Sequence, residues 1–381
     1  MRTFLACLAT ISVFAVSCAG GGGADDDGAV MTASGGAGAG AGTSVGQTGG
    51  GTQLGSGGTA AGGGSSSGSG GEGSNSATGG AGAGAPVFVC SEADKALTLA
   101  LSGSPVAIPG VPKPAADNWF LEGPVWIDGS LDMSQIRDYG PLNPANILKY
   151  TPGGSFEQVV ADAGTNGLAL NGAGLLVAAS HKEGGIVTFD TQAIAAAPLT
   201  LVNEFEGSRF NSPNDLTVRS DVTIYFTDPD WQCTGCGHQP GKGVYKLSPT
   251  GVVEKLTVLQ DDPNGISLSP DEKTLYVGGI SLASYPVMLD GSIGAGSVFG
   301  DNFFQRTDGL GIDCAGNVYA TTGDAEVKVF ASTGALLGTI SAAGARNVAF
   351  GGVDNKTLFI VGAGTPGTAY SLDLNVPGYP Y

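Results

Sequence analysis

From about residue 119 onward, apolar and polar positions come in short bursts. LLVAAS (175–180), TIYFT (223–227), TLYVGG (274–279), VYATT (318–322) and TLFIVG (357–362) are rich in β-branched and aromatic residues and bounded by Gly, Asn, Asp, Ser or Lys. Runs of this length and composition predict strands. LVAASHKEGGIVTFD (176–190) alternates as half-buried strands do, with Gly-Gly at the turn. Helical periodicity is absent apart from a short turn at 191–197. The fold class this predicts is all-β.

The strands recur in register. NGLALNGAGLLVAA opens at Asn166, NDLTVRSDVTIYFT at Asn214, NGISLSPDEKTLYVGG at Asn264 and DGLGIDCAGNVYATT at Asp308. Looser copies open at Glu122 (EGPVWIDGSLDMS) and Asn347 (NVAFGGVDNKTLFIVG). Successive openings lie 44, 48, 50, 44 and 39 residues apart. A period of about 40 to 50 residues built from short strands predicts one propeller blade per repeat. Six repeats therefore predict a six-bladed β-propeller. An N-terminal strand, ALTLALSG (96–103), is expected to complete the last blade.

The opening positions carry the candidate chemistry. Innermost strands line the channel of a propeller, so Glu122, Asn166, Asn214, Asn264, Asp308 and Asn347 should form a ring of oxygen donors. Two carboxylates and several amide oxygens on one axis suit a hard divalent cation. Asn-Gly and Asp-Gly usually mark hairpin turns. Here, however, each repeat has its own turn later, at 171–174, 269–273 and 314–317, which places the opening residue at the entrance to a strand.

The ends and composition add a domain plan. Residues 1–17 have one Arg and an apolar run too short to span a bilayer, the layout of a secretory signal. Ala15-Val16-Ser17-Cys18 resembles a bacterial lipobox with Ala at its first position, which makes Cys18 a candidate lipidation site on an exported or cell-envelope protein. Residues 18–86 are mostly Gly, Ala, Ser and Thr and read as a flexible tether. Residues 87–381 form the propeller, at about 49 residues per blade. A net charge of −18 with only 16 Lys and Arg argues against nucleic-acid partners. The lipid is the one expected membrane attachment.

In an oxidising compartment Cys90, Cys233, Cys236 and Cys314 are expected to pair as Cys90–Cys314 and Cys233–Cys236, one of three connectivities. A competing reading makes CTGC, with His238, half of a zinc site. It lacks a second ligand pair.

EGPVW, RFNSPNDLTV, PNGISLSPDEKTLYV and DGLGIDCAGNVYAT resemble the motifs of the senescence-marker-protein/gluconolactonase/luciferin-regenerating (regucalcin-like) family, over about residues 118–365. The resemblance implies a metal-dependent hydrolase of a small-molecule, sugar-type lactone. It implies Glu122, Asn214, Asn264 and Asp308 as ligands of one divalent ion, Ca²⁺ foremost, with Zn²⁺, Mn²⁺ and Mg²⁺ as alternatives. It also implies Asp308 as base, with Asp215 and Asp228 as other candidates near the pocket mouth. Asn214, Asn211, Arg209 and His181 are candidate substrate contacts. Asn166 and Asn347 share the axis outside the family's ligand set and read as supporting residues, Asn166 with substrate in reach. The stretch WQCTGCGHQPGK (231–242) departs from the family pattern and leaves substrate identity open. Alternatives are phosphotriester or larger-lactone hydrolysis at the same site, or a non-catalytic propeller binding a glycan or protein around a structural Ca²⁺.

Overall fold

The computed structural model describes residues 89–113, 119–137, 144–233, 238–300, 306–323, 325–364 and 367–379. The expected signal, the tether, Cys18 and Cys236 lie outside the described residues.

Six four-stranded antiparallel sheets follow one another along the chain, the first five with their strands in sequence order and the sixth with an N-terminal strand at its outer edge. These are the six blades. Their innermost strands are Trp119–Ile127, Thr165–Leu170, Leu216–Val218, Ile266–Leu268, Thr307–Ile312 and Ala345–Gly351. Among the described residues, helical structure is confined to one turn at Glu92–Lys95 and a 3₁₀ turn at Trp231–Cys233.

Burial falls from the inner strands outward. Leu176–Ser180 and Gly185–Phe189 are buried at every position, whereas the outermost strand of the same blade, Leu199–Val202, is largely exposed. This corrects the half-buried reading of 176–190. Each blade is covered on both faces by its neighbours, so its middle strands have no solvent side and read as continuous apolar runs.

The core is divided among the blade interfaces. Between the second and third blades, Ala169, Val177 and Ile186 meet Phe210, Phe226 and Tyr245. Phe210 stands edge-on to Phe226 at 5.1 Å and to Tyr245 at 4.9 Å. Burying each such side chain contributes roughly 1.5–3 kcal/mol, with a further increment from edge-to-face geometry.

An N-terminal segment does complete the sixth blade, but it is Val106–Ala107, paired antiparallel with Tyr370 and Ser371. The more apolar 96–103 makes no strand. Its Leu99 and Leu101 pack on the core between the fifth and sixth blades, and Asn375 holds it by two bonds to the Thr98 carbonyl and Ala100 amide, both 2.8 Å. Side-chain burial thus settled where 96–103 lies, and strand pairing fell to the segment that reaches the sheet edge. Cys90 is bonded to Cys314, across 224 residues, which ties the N-terminal segment to the fifth blade. Cys233 is also disulfide-bonded, which removes the thiolate that a zinc site at CTGC would need.

Candidate functional site

The repeat-opening residues sit at irregularities in the inner strands. Register breaks at Glu122/Val125, Thr165/Leu168, Thr307/Leu310 and Ala345/Asn347 place Glu122, Asn166, Asp308 and Asn347 at β-bulges within strands. Asn214 and Asn264 instead lie two residues ahead of theirs, at Leu216 and Ile266. A bulge re-aims its side chain out of the sheet's alternation. Here the result is that all six side chains are buried, with exposures of 3–8 %.

The glycine after the opening residue has a packing cause. A Cβ on Gly123 would meet the Asn166 carbonyl, one on Gly167 would meet Asp215, one on Gly265 the Asp308 carbonyl and one on Gly309 the Asn347 side chain. In each case the obstacle belongs to the next blade. The Gly167 amide donates to the Asn214 carbonyl at 2.7 Å and the Gly265 amide to the Asp308 carbonyl at 3.0 Å. Only glycine allows the inner strands to approach this closely.

Five of the six, Glu122, Asn166, Asn214, Asn264 and Asp308, line one cavity of about 720 Å³. Asn347 stands behind them. Its Nδ2 donates to Glu122 Oε2 at 3.1 Å while its Oδ1 accepts the Val348 amide at 2.8 Å. Asp308 is held at both oxygens, by Asn264 Nδ2 at 2.6 Å and by Arg346 Nη1 at 3.2 Å. Adjacent residues of one strand, Arg346 and Asn347, therefore each support a different carboxylate of the centre.

The electrostatics favour a cation. Burial, and after it the charges of Asp308 and Asp215, push Glu122 well above the usual carboxylate range, against the pull of Arg346. Burial also raises Asp308, opposed mainly by Arg346. Two buried carboxylates beside three amide side chains form an all-oxygen donor set that fits a hard divalent ion. Among the described residues no three His, Cys, Asp or Glu side chains are grouped to hold a metal by themselves, so an ion here would need the amides as well.

The remaining candidates fall outside the cavity lining. Asp215 is buried, its Oδ1 accepts the Leu216 amide at 2.9 Å, and burial pushes it up to about 7. Asp228 accepts the amides of Asn211 and Ser212 at 2.9 and 2.8 Å, bracing the RFNSPND loop. The Asn211 carboxamide is used at both ends, donating to the Gly241 carbonyl and accepting the Gln239 amide. Arg209 donates to the carbonyls of His181 and Lys182 at 2.9 and 2.7 Å, and His181 is buried beneath it. The structure thus makes Asp228, Asn211 and Arg209 a loop brace, where substrate contact or catalysis was expected of them.

Sequence reading missed Trp119, Phe120, Trp231, Gln232, Asp262, Arg306 and Arg346, all of which line the cavity. A signal for three of them existed. Phe120, Asp262 and Arg306 each stand two residues before a repeat opening, so the repeat register marks them too. Trp231, by contrast, arrives on the 3₁₀ turn of the unaligned insert.

Comparison with known proteins identifies a family. The chain is 30% identical to a gluconolactonase of Zymomonas mobilis over 281 residues, covering 65% of this chain and 77% of that protein. A solved gluconolactonase from Xanthomonas campestris superposes with a TM-score of 0.58 at 29% identity, covering 68% of this chain and 86% of that one. A calcium-binding regucalcin from Agrobacterium tumefaciens shares the fold, with a TM-score of 0.55 at 19% identity over 68% of this chain and 91% of that one. The model of the SMP-30/gluconolactonase/LRE-like region matches residues 120–364, and the chain belongs to that family.

Proposed function

We propose that the protein is a metal-dependent lactone hydrolase acting on a sugar-type lactone. The observation that carries this is the convergence of Glu122, Asn166, Asn214, Asn264 and Asp308 on one open cavity, in a chain related to gluconolactonases. Glu122, Asn214, Asn264 and Asp308 would hold the ion, and an all-oxygen set favours Ca²⁺, Mg²⁺ or Mn²⁺ over Zn²⁺. When bound, such an ion polarises a carbonyl and lowers the pKa of water.

The reaction adds water to the lactone carbonyl carbon and breaks the ring C–O bond, leaving a hydroxy acid. Asp308 is the carboxylate placed to take the water's proton, because it lines the cavity and both its oxygens are positioned. Asp215, which burial pushes up to about 7, does not line the cavity, and geometry ranks ahead of pKa in choosing a base. Asn347 keeps Glu122 directed at the axis. Aromatic walls at Trp119, Phe120 and Trp231 exclude bulk water on one side.

Purified protein treated with chelator should lose hydrolysis of gluconolactone and regain it with Ca²⁺ or Mn²⁺. Asp308→Ala and Glu122→Ala should each lower kcat/KM at least a hundredfold. Full activity after complete removal of metal would overturn the reading.

We also propose that residues 1–17 direct export and that Cys18 carries the lipid anchor. Mass spectrometry of the membrane fraction tests this, and a mature N-terminus elsewhere without lipid refutes it.

A further inference from the structure

The cavity lining carries a guanidinium that the proposed hydrolysis does not use, that of Arg306. A second, Arg346, holds Asp308, and Trp119, Trp231 and Gln232 line the same cavity. The chain contains six arginines and a net charge of −18, and two of the six line this one cavity. Concave sites focus the fields of such charges on what enters them.

Arg306 is set up to receive a ligand. Its Nη2 pairs with Asp262 Oδ2 at 2.5 Å, and its guanidinium lies over the Trp231 ring at 5.6 Å. Asp262 is shared with Lys242 at 2.5 Å, and Lys242 also reaches Asp230 at 3.1 Å. Asp262 therefore does not depend on Arg306 alone for neutralisation. The Arg306 side chain is still 54% exposed, so part of its planar donor fork faces the opening. Trp119 Nε1 and Gln232 Oε1 are buried polar atoms without partners, on lining residues 7% and 5% exposed. Buried polar groups are nearly always satisfied, and two unsatisfied ones on residues of one cavity lining point to a polar ligand.

The charge balance agrees. Three carboxylates (Glu122, Asp262, Asp308) and two guanidiniums line the cavity, and a divalent ion on the donor ring turns this balance positive. A neutral lactone would gain nothing from that balance. The planar fork of an arginine matches a carboxylate, and indole faces pack against sugar C–H surfaces.

Resting on the lactone-hydrolase reading, we infer that the substrate is a sugar lactone bearing a free carboxylate. Arg306, braced by Trp231 and Asp262, binds that carboxylate, and the lactone carbonyl faces the donor ring. Arg306 is thus a specificity residue, separate from the hydrolytic centre.

The test uses a matched pair, D-glucono-1,4-lactone and D-glucaro-1,4-lactone, which differ in having a hydroxymethyl or a carboxylate at C6. Wild-type protein should favour the glucaro-lactone at least tenfold in kcat/KM, and 0.5 M NaCl should reduce the preference. Arg306→Gln should lower kcat/KM for the anionic lactone at least tenfold more than for the neutral one, and Arg306→Lys should fall between. Thermal melting checks that each variant folds. Binding of D-glucuronate against D-glucose, which differ in the same way at C6, is followed in parallel by tryptophan fluorescence, since two of the three tryptophans line the cavity. Hydrolysis of both lactones at equal rates, unaltered in ratio by Arg306→Gln, overturns the subsite and leaves the hydrolase standing. Absence of hydrolysis with Arg306-dependent preference for glucuronate supports the subsite and removes the hydrolase. Loss of both signals removes both.

Discussion

A methyl group at Gly265 would collide with the Asp308 carbonyl and lie 2.9 Å from the Gly309 Cα. Neither obstacle is a flexible side chain, so the inner strands would have to separate. Gly265→Ala should therefore cost about 1–3 kcal/mol, lower Tm by several degrees, and reduce activity by shifting Asp308. An unchanged melting curve would show that the strands can part freely. Asp132 is a second single-residue test, remote from the ring. Burial pushes its carboxyl up to about 6, with Lys149 and Ser130 opposing. An aspartate in the unfolded chain titrates near 3.9. Below that pH both states are protonated and the contribution is fully present. It is lost as pH rises from about 4 through 6, because unfolding then releases a proton. The loss is on the order of 2–3 kcal/mol. Asp132→Asn should flatten the fall in Tm across that window relative to wild type, and parallel curves would reject the assignment. The opening residues of the repeats were legible because they repeat. Arg346 and Trp231 were not, because each occurs once and its neighbours at the cavity come from other blades.

The blade boundaries were also legible, since turn residues and apolar runs recur at each. Less legible were the bulges that aim Glu122, Asn166, Asp308 and Asn347, because a two-against-one pairing depends on the partner strand. Ring closure shows the same limit. Apolar content favoured 96–103 as the closing strand, yet Val106–Ala107 lies at the free edge of Thr368–Asp373. Closure by two residues is short, and the Cys90–Cys314 bond supplements it. Restricting so long a loop in the unfolded chain is worth about 2–5 kcal/mol in the chain-entropy picture. Cys90→Ser should lower Tm by roughly 5–15 °C while leaving kcat for gluconolactone near wild type, since neither cysteine lines the cavity. A variant with wild-type Tm would mean that strand pairing alone holds the ring closed.

Across the propeller, Glu122, Asn166, Asn214, Asn264 and Asp308 bring one oxygen donor from each of five blades to one cavity. A cation held there would bind the folded chain and not the unfolded one, so it should stabilise by about 3 kcal/mol at a hundredfold excess over Kd. Calorimetry with and without Ca²⁺ reads this independently of catalysis. Identical melting curves in chelator and in millimolar Ca²⁺, Mn²⁺ or Mg²⁺ would remove the metal from the account. The sequence alone determined the repeat, the six blades and the oxygen-donor ring, because strand propensity, turn chemistry and periodicity are local properties that repetition amplifies. The closing strand, the bulges, the bracing role of the RFNSPND loop and the arginine-bearing wall were decided by tertiary structure. They arise where unlike segments from distant blades share one surface, and no single repeat carries that information.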